Sequence, residues 1–196
     1  MIMILLILAI VLLVVLLFFE KQENRKGMLP TKTVLSLLFI VAAVSQIHLM
    51  QPYTLFIVIG LLFCLGGDVF LALPQDKMFL FGLVSFLLGH VCYVIGFIWI
   101  ADPSILTLTG VIITVLLGIL IYTWLKPHLG TMKKPVIAYI LVISFMFIGA
   151  WSVLGMSQQS IMARLLIFVG AACFYVSDIF VARDRFLKND FINRLL

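Results

Sequence analysis

The chain has 196 residues, of which 65% are hydrophobic and only 11% are charged. With a mean hydropathy of +1.31, this composition excludes a soluble globular domain and predicts an integral membrane protein. The net charge of +5 could suggest nucleic-acid binding, but the basic residues lie between apolar segments, where they indicate membrane orientation instead. We therefore expect no nucleic-acid partner.

Seven apolar segments follow one another, each long enough to cross ~30 Å of hydrocarbon as a helix, which takes about 20 residues. We predict them at Ile2–Phe19, Val34–Met50, Leu55–Leu73, Phe79–Ile100, Ile105–Leu125, Pro135–Leu154 and Ile161–Ala182. The first lacks a basic leading region and a cleavage site, so we interpret it as a retained helix rather than a signal peptide. None alternates polar and apolar residues, as barrel strands do. The predicted fold class is all-α: a polytopic transmembrane helical bundle of seven spans in a single domain, residues 1–196.

The basic residues predict how this bundle is oriented in the cell membrane. Every Lys and Arg except Arg164 falls in the first, third or fifth connection or in the C-terminal segment from Arg183 onward. Because basic connections stay on the cytoplasmic side, we expect the N-terminus outside and the basic C-terminal segment inside. No Lys or Arg lies within the second to sixth segments, except at their ends, so a buried acid there is expected to lack a close counter-ion.

An aspartate occurs twice inside an apolar segment, with similar neighbours each time. Residues 67–72 are Gly-Asp-Val-Phe-Leu-Ala and residues 177–182 are Ser-Asp-Ile-Phe-Val-Ala, and Gly60 and Gly170 each precede their aspartate by eight positions. A carboxylate in hydrocarbon costs roughly 3 kcal/mol or more, so Asp68 and Asp178 are predicted to be functional residues.

The two motifs lie four helices apart, which predicts parallel internal repeats related by an axis along the membrane normal, with halves 1–100 and 101–196. Such a duplication requires one more helix after residue 182, and Arg183–Leu196 is too short and too polar to span. Either the duplication is imperfect or the sequence lacks its last helix. The similarity could also be a coincidence, because Phe, Leu, Val and Ala are abundant in this chain.

Two carboxyl groups in one pocket favour proton transfer as the chemistry. If Asp68 and Asp178 are adjacent, they can share one proton and act as donor and base near neutral pH. The alternative is structural, namely a hydrogen bond or an ion pair between helices, and Arg185 lies two turns beyond Asp178 if its helix continues. Ser177 could hydrogen-bond Asp178, although it could equally be a packing residue.

The fourth segment carries small residues at steps of three or four, which predicts close packing on another helix. They are Gly82, Ser85, Gly89, Cys92 and Gly96. His90 lies ~16 Å into the same helix and needs a polar partner there. It would donate a hydrogen bond or shuttle a proton as a site residue, or otherwise bond a neighbouring helix. Tyr93, one turn away, is a weaker candidate.

Basic residues and cysteines complete the set of candidates. Lys77, Arg183 and Arg185 form a basic fringe that suits the phosphate of a lipid head group, although membrane orientation alone also explains it. The three cysteines are far apart, with no CxxC or Cys/His spacing, so we predict no zinc site and no other metal.

Several of these motifs together carry a resemblance to a known family. They are Gly67-Asp68, Gly89-His90 with Tyr93, and Ser177-Asp178 with Arg185-Phe186. They resemble the YhhN family, the lysoplasmalogenases, over roughly residues 30–195, most specifically at Asp68, His90, Tyr93 and Asp178. Members have about eight helices, and the family pattern continues beyond the equivalent of Leu196 into a last helix. We therefore expect that helix to be missing from this sequence.

The resemblance implies hydrolysis of the vinyl ether bond of lysoplasmalogens with an ethanolamine or choline head group, giving a fatty aldehyde and a glycerophospho-base. The implied acid/base pair is Asp68 and Asp178, the supporting polar residues are His90, Tyr93 and Ser177, and the head-group contacts are Lys77, Arg183 and Arg185. The partners would be a lysophospholipid substrate and membrane lipid. A carboxyl pair that shares a proton would need no cofactor.

Two other functions are open at this point. Paired intramembrane carboxylates in parallel repeats also occur in proton-coupled carriers of small molecules or lipids. Against a carrier, these helices lack the mid-span Pro or Gly breaks of a carrier site. A lipid-binding or scaffold protein with structural aspartates is the third hypothesis, and it predicts that Asn substitutions lower stability without changing any turnover. The oligomeric state is open as well.

Overall fold

The computed structural model describes residues 2–22, 24–47 and 51–188. Its helices are α1 (Ile2–Lys21), α2 (Arg25–Ser45), α3 (Pro52–Ala72), α4 (Asp76–Ile100), α5 (Ile105–Leu125), α6 (Lys133–Leu154) and α7 (Ile161–Phe186). Two 3₁₀ turns, Lys126–His128 and Gly130–Met132, connect α5 to α6. All seven α-helices are long and apolar enough to cross a membrane, and the described residues contain no strand. The prediction of an all-α fold with seven spans is confirmed, and the chain is a multi-pass membrane protein.

Polar side chains and glycine fix where several helices begin and end. Ser104 caps α5 by accepting from the backbone N–H of Thr107, whose hydroxyl accepts from the Ser104 N–H in return. At the start of α7, Ser160 accepts from the N–H of Ala163 at 3.2 Å. The end of α6 is capped by Gly155, whose N–H donates to carbonyls of the last turn. These contacts satisfy backbone groups that helix ends leave unpaired.

Helix α2 begins at Arg25, well before its predicted start at Val34. The side chain of Asn24 caps it, and Pro30 lies inside the helix without ending it. The predicted start was wrong because it was placed where the hydropathy falls, at the basic residues that precede Val34. The backbone is nevertheless helical from Arg25, directly after the cap at Asn24. Lys32 therefore lies within α2 and not in a loop.

Helix α7 is also longer than predicted and continues past Ala182 to Phe186. Its last turn contains Arg183 and Arg185, whose charge interacts favourably with the carbonyl end of the helix dipole. Asp178 consequently lies two turns from the end of its helix. The helix thus continues through Arg185, which was the condition for Arg185 to lie two turns beyond Asp178.

The chain divides into two compact units, Met1–Cys92 and Tyr93–Leu196. In the first unit, α2 packs against both α1 and α3, and the first part of α4 packs against α3. In the second unit, α6 packs against α5 and α7, and α5 also contacts α7. The single domain and the repeat halves 1–100 and 101–196 stay predictions.

Close contact between α3 and α4 depends on residues with small side chains. A Cβ added to Gly82 would lie 2.9 Å from Leu71, and one added to Gly89 would lie 3.0 Å from Cys64. Ser85 donates its hydroxyl to the carbonyl of Phe63 at 2.6 Å, so the two backbones are joined directly. The predicted packing role is confirmed at these three small residues of α4.

Large apolar side chains cover the outside of the helices, as contact with lipid requires. Ile4 is 70% exposed and Ile98 is 71% exposed, while the second unit buries Leu125, Ala150 and Val153 almost completely. Lipid tails are as apolar as these side chains, so helix association here depends on close fit and polar contacts rather than on the hydrophobic effect.

Candidate functional site

Asp68 lies on α3, one turn before that helix ends at Ala72, and is half-buried. Ser36 on α2 donates its hydroxyl to Oδ2 of Asp68 at 2.5 Å, a short bond of the kind that hydroxyl groups make with carboxylates. The other oxygen, Oδ1, accepts no hydrogen bond from the described residues. The carboxyl group is thus held from one side through a single oxygen.

A cation also lies beside Asp68. Lys32 precedes Ser36 by one turn of α2 and interacts electrostatically with the Asp68 carboxyl. Its Nζ lies 3.1 Å from Oε1 of Glu20, the penultimate residue of α1, whose side chain is only 2% exposed. The expectation of no close counter-ion was therefore wrong for Asp68, because the longer α2 brings Lys32 among the packed helices.

Asp178 lies on α7 and is half-buried as well. Tyr139 on α6 donates its hydroxyl to Oδ2 of Asp178 at 2.6 Å, and the Tyr139 side chain is buried. Asp178 also acts electrostatically on Tyr175, one turn earlier on α7. Each aspartate therefore accepts a short hydrogen bond from a hydroxyl group on the adjacent helix of its own unit.

Aromatic rings fix the interface between α6 and α7 on which Tyr139 and Asp178 meet. Tyr175 is buried, with its ring centroid 5.3 Å from that of Phe147, and Phe147 stacks on Phe168 at 5.6 Å. Trp151 completes the series with an edge contact to Phe168 at 4.7 Å. Offset and edge contacts are favoured geometries for aromatic rings, so this series holds the two helices in register.

His90 is completely buried on α4, and its Nδ1 lies 2.7 Å from the carbonyl oxygen of Phe86 in the same helix. A carbonyl oxygen can only accept a hydrogen bond, so this contact places a proton on Nδ1. Tyr93 is half-buried one turn further along α4, where the second unit begins. The supporting roles of both residues stay predictions.

The predicted head-group residues lie at helix ends. Lys77 is exposed at the start of α4 in the first unit, and Arg185 is exposed in the last turn of α7 in the second. Arg183 and Ser177, also on α7, are half-buried. Their roles in substrate binding stay predictions.

The structure therefore gives each aspartate its own polar partners, within its own unit. Sequence interpretation missed three of these partners: Ser36 and Lys32 on α2 and Tyr139 on α6. It also missed Glu20 on α1, which pairs with Lys32. The available signal was the presence of polar side chains near or within apolar spans, above all Lys32 and Ser36 at a spacing of one helical turn. That signal identifies candidate polar residues, but it does not indicate which neighbouring helix each of them contacts.

Proton transfer is the chemistry that these residues can support. Each carboxyl has one oxygen held by a hydroxyl donor, which sets the direction in which the other oxygen points. Within residues 2–22, 24–47 and 51–188, no three His, Cys, Asp or Glu side chains are grouped so that they could hold a metal ion.

Comparison with known proteins gives a consistent result over most of the chain. A family model described as the YhhN family matches residues 27–196. The lysoplasmalogenases of Mycobacterium bovis and Mycobacterium tuberculosis are each 30% identical to this chain over 169 residues, covering 82% of the chain and 61% of the relative. Lysoplasmalogenase TMEM86A of Bos taurus is 31% identical over 153 residues, covering 76% of the chain and 61% of the relative. No solved structure matches the chain.

Proposed function

This chain belongs to the YhhN family, and from that premise we propose that it is a membrane hydrolase that cleaves the vinyl ether bond of lysoplasmalogens. Relatives at about 30% identity bear the name lysoplasmalogenase, and the chain spans 61% of their length. The observation that carries the proposal is that Asp68 and Asp178 each accept a short hydrogen bond from a hydroxyl group inside a membrane span.

The reaction needs an acid, a stabilising negative charge and a base. A vinyl ether is inert toward nucleophiles until its β-carbon takes up a proton, which the acid supplies. Protonation forms an oxocarbenium ion, and a nearby carboxylate stabilises it. Water then adds to the cationic carbon and gives a proton to the base. The hemiacetal that results collapses to a fatty aldehyde and a glycerophospho-base as its hydroxyl proton passes to the departing glycerol oxygen. The proton that the base took from water replaces the one that the acid donated.

We assign the acid and base roles to Asp68 and Asp178, without distinguishing which aspartate is the acid. In this proposal His90, Tyr93 and Ser177 support them as neutral polar groups. A carboxyl held through Oδ2 presents its other oxygen in a fixed direction, which is the geometry that efficient proton transfer to a carbon atom requires.

The basic fringe supplies the rest of the proposed site. Lys77, Arg183 and Arg185 would contact the phosphate of a lysophospholipid head group, while its alkenyl chain lies in the apolar part of the membrane. Orientation follows from the same charges, with the N-terminus outside and the basic helix ends on the cytoplasmic side of the cell membrane.

Helix continuity favours a hydrolase over the alternative of a proton-coupled carrier. Carrier sites form where spans are interrupted and backbone groups line a cavity. Helix α3 runs unbroken through Asp68, and α7 runs unbroken through Asp178. Proton-gradient-dependent uptake into sealed vesicles would nevertheless overturn the preference for a hydrolase.

Substitution of each aspartate by asparagine tests the proposal. Asp68→Asn and Asp178→Asn should each lower aldehyde release from a lysoplasmalogen in micelles by about 100-fold or more, since asparagine neither donates nor accepts the proton. Asp102→Asn is the matched control, because Asp102 is exposed between α4 and α5. Full turnover by both site variants, in protein that elutes like the wild type, would reject this mechanism.

A further inference from the structure

Helix α2 presents two polar residues, Lys32 and Ser36, one turn apart, to the helices on either side of it. Ser36 donates to Oδ2 of Asp68 on α3 at 2.5 Å, and Lys32 lies 3.1 Å from Oε1 of Glu20 on α1. Four polar side chains thus form a row across three helices of the first unit. Crossing a membrane does not require such a row, because each charged side chain in hydrocarbon is costly.

Ser36 controls the orientation of the Asp68 carboxyl group. The torsion that rotates a carboxyl group has a broad energy minimum, so a side chain of this kind is held in place only by its contacts. The hydrogen bond from Ser36 occupies Oδ2, and Oδ1 of the half-buried side chain accepts none from the described residues. Oδ1 is thereby the oxygen that stays available for a reactant in the proposed reaction.

Glu20 controls where the cation beside Asp68 is placed. The side chain of Glu20 is 2% exposed and that of Lys32 is 30% exposed, so the glutamate is the more deeply fixed member of the pair. A long Lys side chain in a span would otherwise extend toward the membrane surface. Lys32 lies within the segment 27–196 that matches the family model, whereas Glu20 precedes it.

We propose that Ser36 and Lys32 are positioning residues for the reaction at Asp68, and that Glu20 holds Lys32 in place. Ser36 fixes the direction of Oδ1, and Lys32 balances the negative charge of the carboxyl group whenever that group is ionised. This inference rests on the proposed role of Asp68 in ether hydrolysis. The competing explanation is that the Glu20–Lys32 pair only fastens α1 to α2.

The Ser36 hydroxyl can be removed without changing any charge. Ser36→Ala should lower kcat about tenfold while KM changes by less than about twofold, since loss of one hydrogen bond to a carboxylate corresponds to about that factor. Ser36→Thr keeps the hydroxyl and should restore most of kcat. Ser45→Ala is the matched control on α2, because the Ser45 hydroxyl donates to its own helix at the carbonyl of Ala42. An unchanged kcat in Ser36→Ala would overturn the role of Ser36.

A double variant tests Lys32. Lys32→Met alone removes the cation that lies 3.1 Å from the buried Glu20 carboxylate, which is destabilising. Glu20→Gln/Lys32→Met removes both charges together, and it should elute and unfold like the wild type yet lose kcat about tenfold. Wild-type kcat in the double variant would show that the pair only fastens the two helices, and would overturn the role of Lys32. Lys26→Met, at an exposed lysine of α2, is the control for loss of a positive charge.

An infrared measurement separates failure of this inference from failure of the proposed function. The carboxyl band of Asp68 is identified by its disappearance in Asp68→Asn, and the measurement needs no substrate. Ser36→Ala and the double variant should each shift that band, whereas Ser45→Ala should not. A shift in a protein that hydrolyses no vinyl ether would support positioning of Asp68 and reject the hydrolase. An unshifted band would overturn the positioning, whatever the activity.

Discussion

At the scale of single residues, the two aspartates differ in what surrounds them. Asp68 has an alcohol donor, Ser36, and a cation, Lys32, whereas Asp178 accepts from the phenol of Tyr139 and lies near a second phenol, Tyr175. A phenol is a stronger hydrogen-bond donor than an alcohol and is held by its ring packing. We therefore expect the position of Asp178 to depend on the hydrogen bond from Tyr139.

Removing the Tyr139 hydroxyl tests this dependence. Tyr139→Phe keeps the buried ring but leaves Oδ2 of Asp178 without its donor at 2.6 Å. We expect a loss of about 1 kcal/mol in the free energy of unfolding, together with a fall in kcat of about tenfold. The measurements are the thermal unfolding temperature in one detergent and the rate of aldehyde release.

The matched control for this substitution lies in the same unit. Tyr122→Phe changes a half-buried tyrosine of α5 whose hydroxyl makes no hydrogen bond to the described residues. It should leave both the unfolding temperature and kcat unchanged. Equal effects of the two substitutions would mean that the hydrogen bond between Tyr139 and Asp178 contributes nothing specific to stability or to kcat.

At the scale of helices, one glycine beside Asp68 sets how closely α3 approaches α4. A Cβ added to Gly67 would lie 2.5 Å from the ring of Phe86, whereas one added to Gly170 on α7 would meet nothing within 4 Å. Gly67→Ala should therefore lower the free energy of unfolding by about 1–3 kcal/mol through overpacking. Gly170→Ala should be neutral or stabilising by up to about 1 kcal/mol, since alanine favours a helix.

The unfolding temperatures of the two glycine variants in the same detergent check this contrast. Gly67→Ala should also lower kcat, because displacement of α3 moves the adjacent Asp68. Equal unfolding temperatures in the two variants would show that the contact between Gly67 and Phe86 does not limit the approach of the helices. In that case Gly67 would not explain how closely α3 packs on α4.

Helix positions were predictable from sequence because a run of apolar residues of the right length has few alternatives in a membrane. The limits of α5 were predicted correctly, since Ser104 and the polar residues after Leu125 bound a uniform apolar run. The start of α2 was not predicted correctly. Hydropathy alone does not reveal the helix cap at Asn24 or the polar helical turns that contain Lys32.

The candidate site was only half predictable for a related reason. Asp68 and Asp178 were identified because a carboxyl group in an apolar span is costly wherever it lies. Their donors Ser36 and Tyr139 are 32 and 39 residues away in sequence. To find such pairs one must know how each helix is rotated about its axis. Hydropathy does not determine that rotation when a span is apolar on all sides.

At the scale of the whole molecule, charge predicts which ends of the spans face the cytoplasm. In the second unit, Lys133 and Lys134 begin α6 at the end where α7 finishes with Arg183 and Arg185. At the opposite end Arg164 lies one turn into α7, and its guanidinium donates to the carbonyl of Leu154 at 3.0 Å. Because Lys and Arg near span ends resist translocation, the end with Lys133 and Arg183 should be cytoplasmic.

Cysteine labelling checks this orientation directly. In a variant without the three native cysteines, Gln158→Cys and Thr131→Cys would each place one thiol in an exposed connection, after α6 and before it respectively. A membrane-impermeant maleimide should label Gln158→Cys in intact cells, and Thr131→Cys only after the membrane is opened. Both should be labelled in detergent, which controls for thiol reactivity. The reverse pattern would place the basic helix ends outside the cell, and a substrate supplied from the outer leaflet would then reach them first.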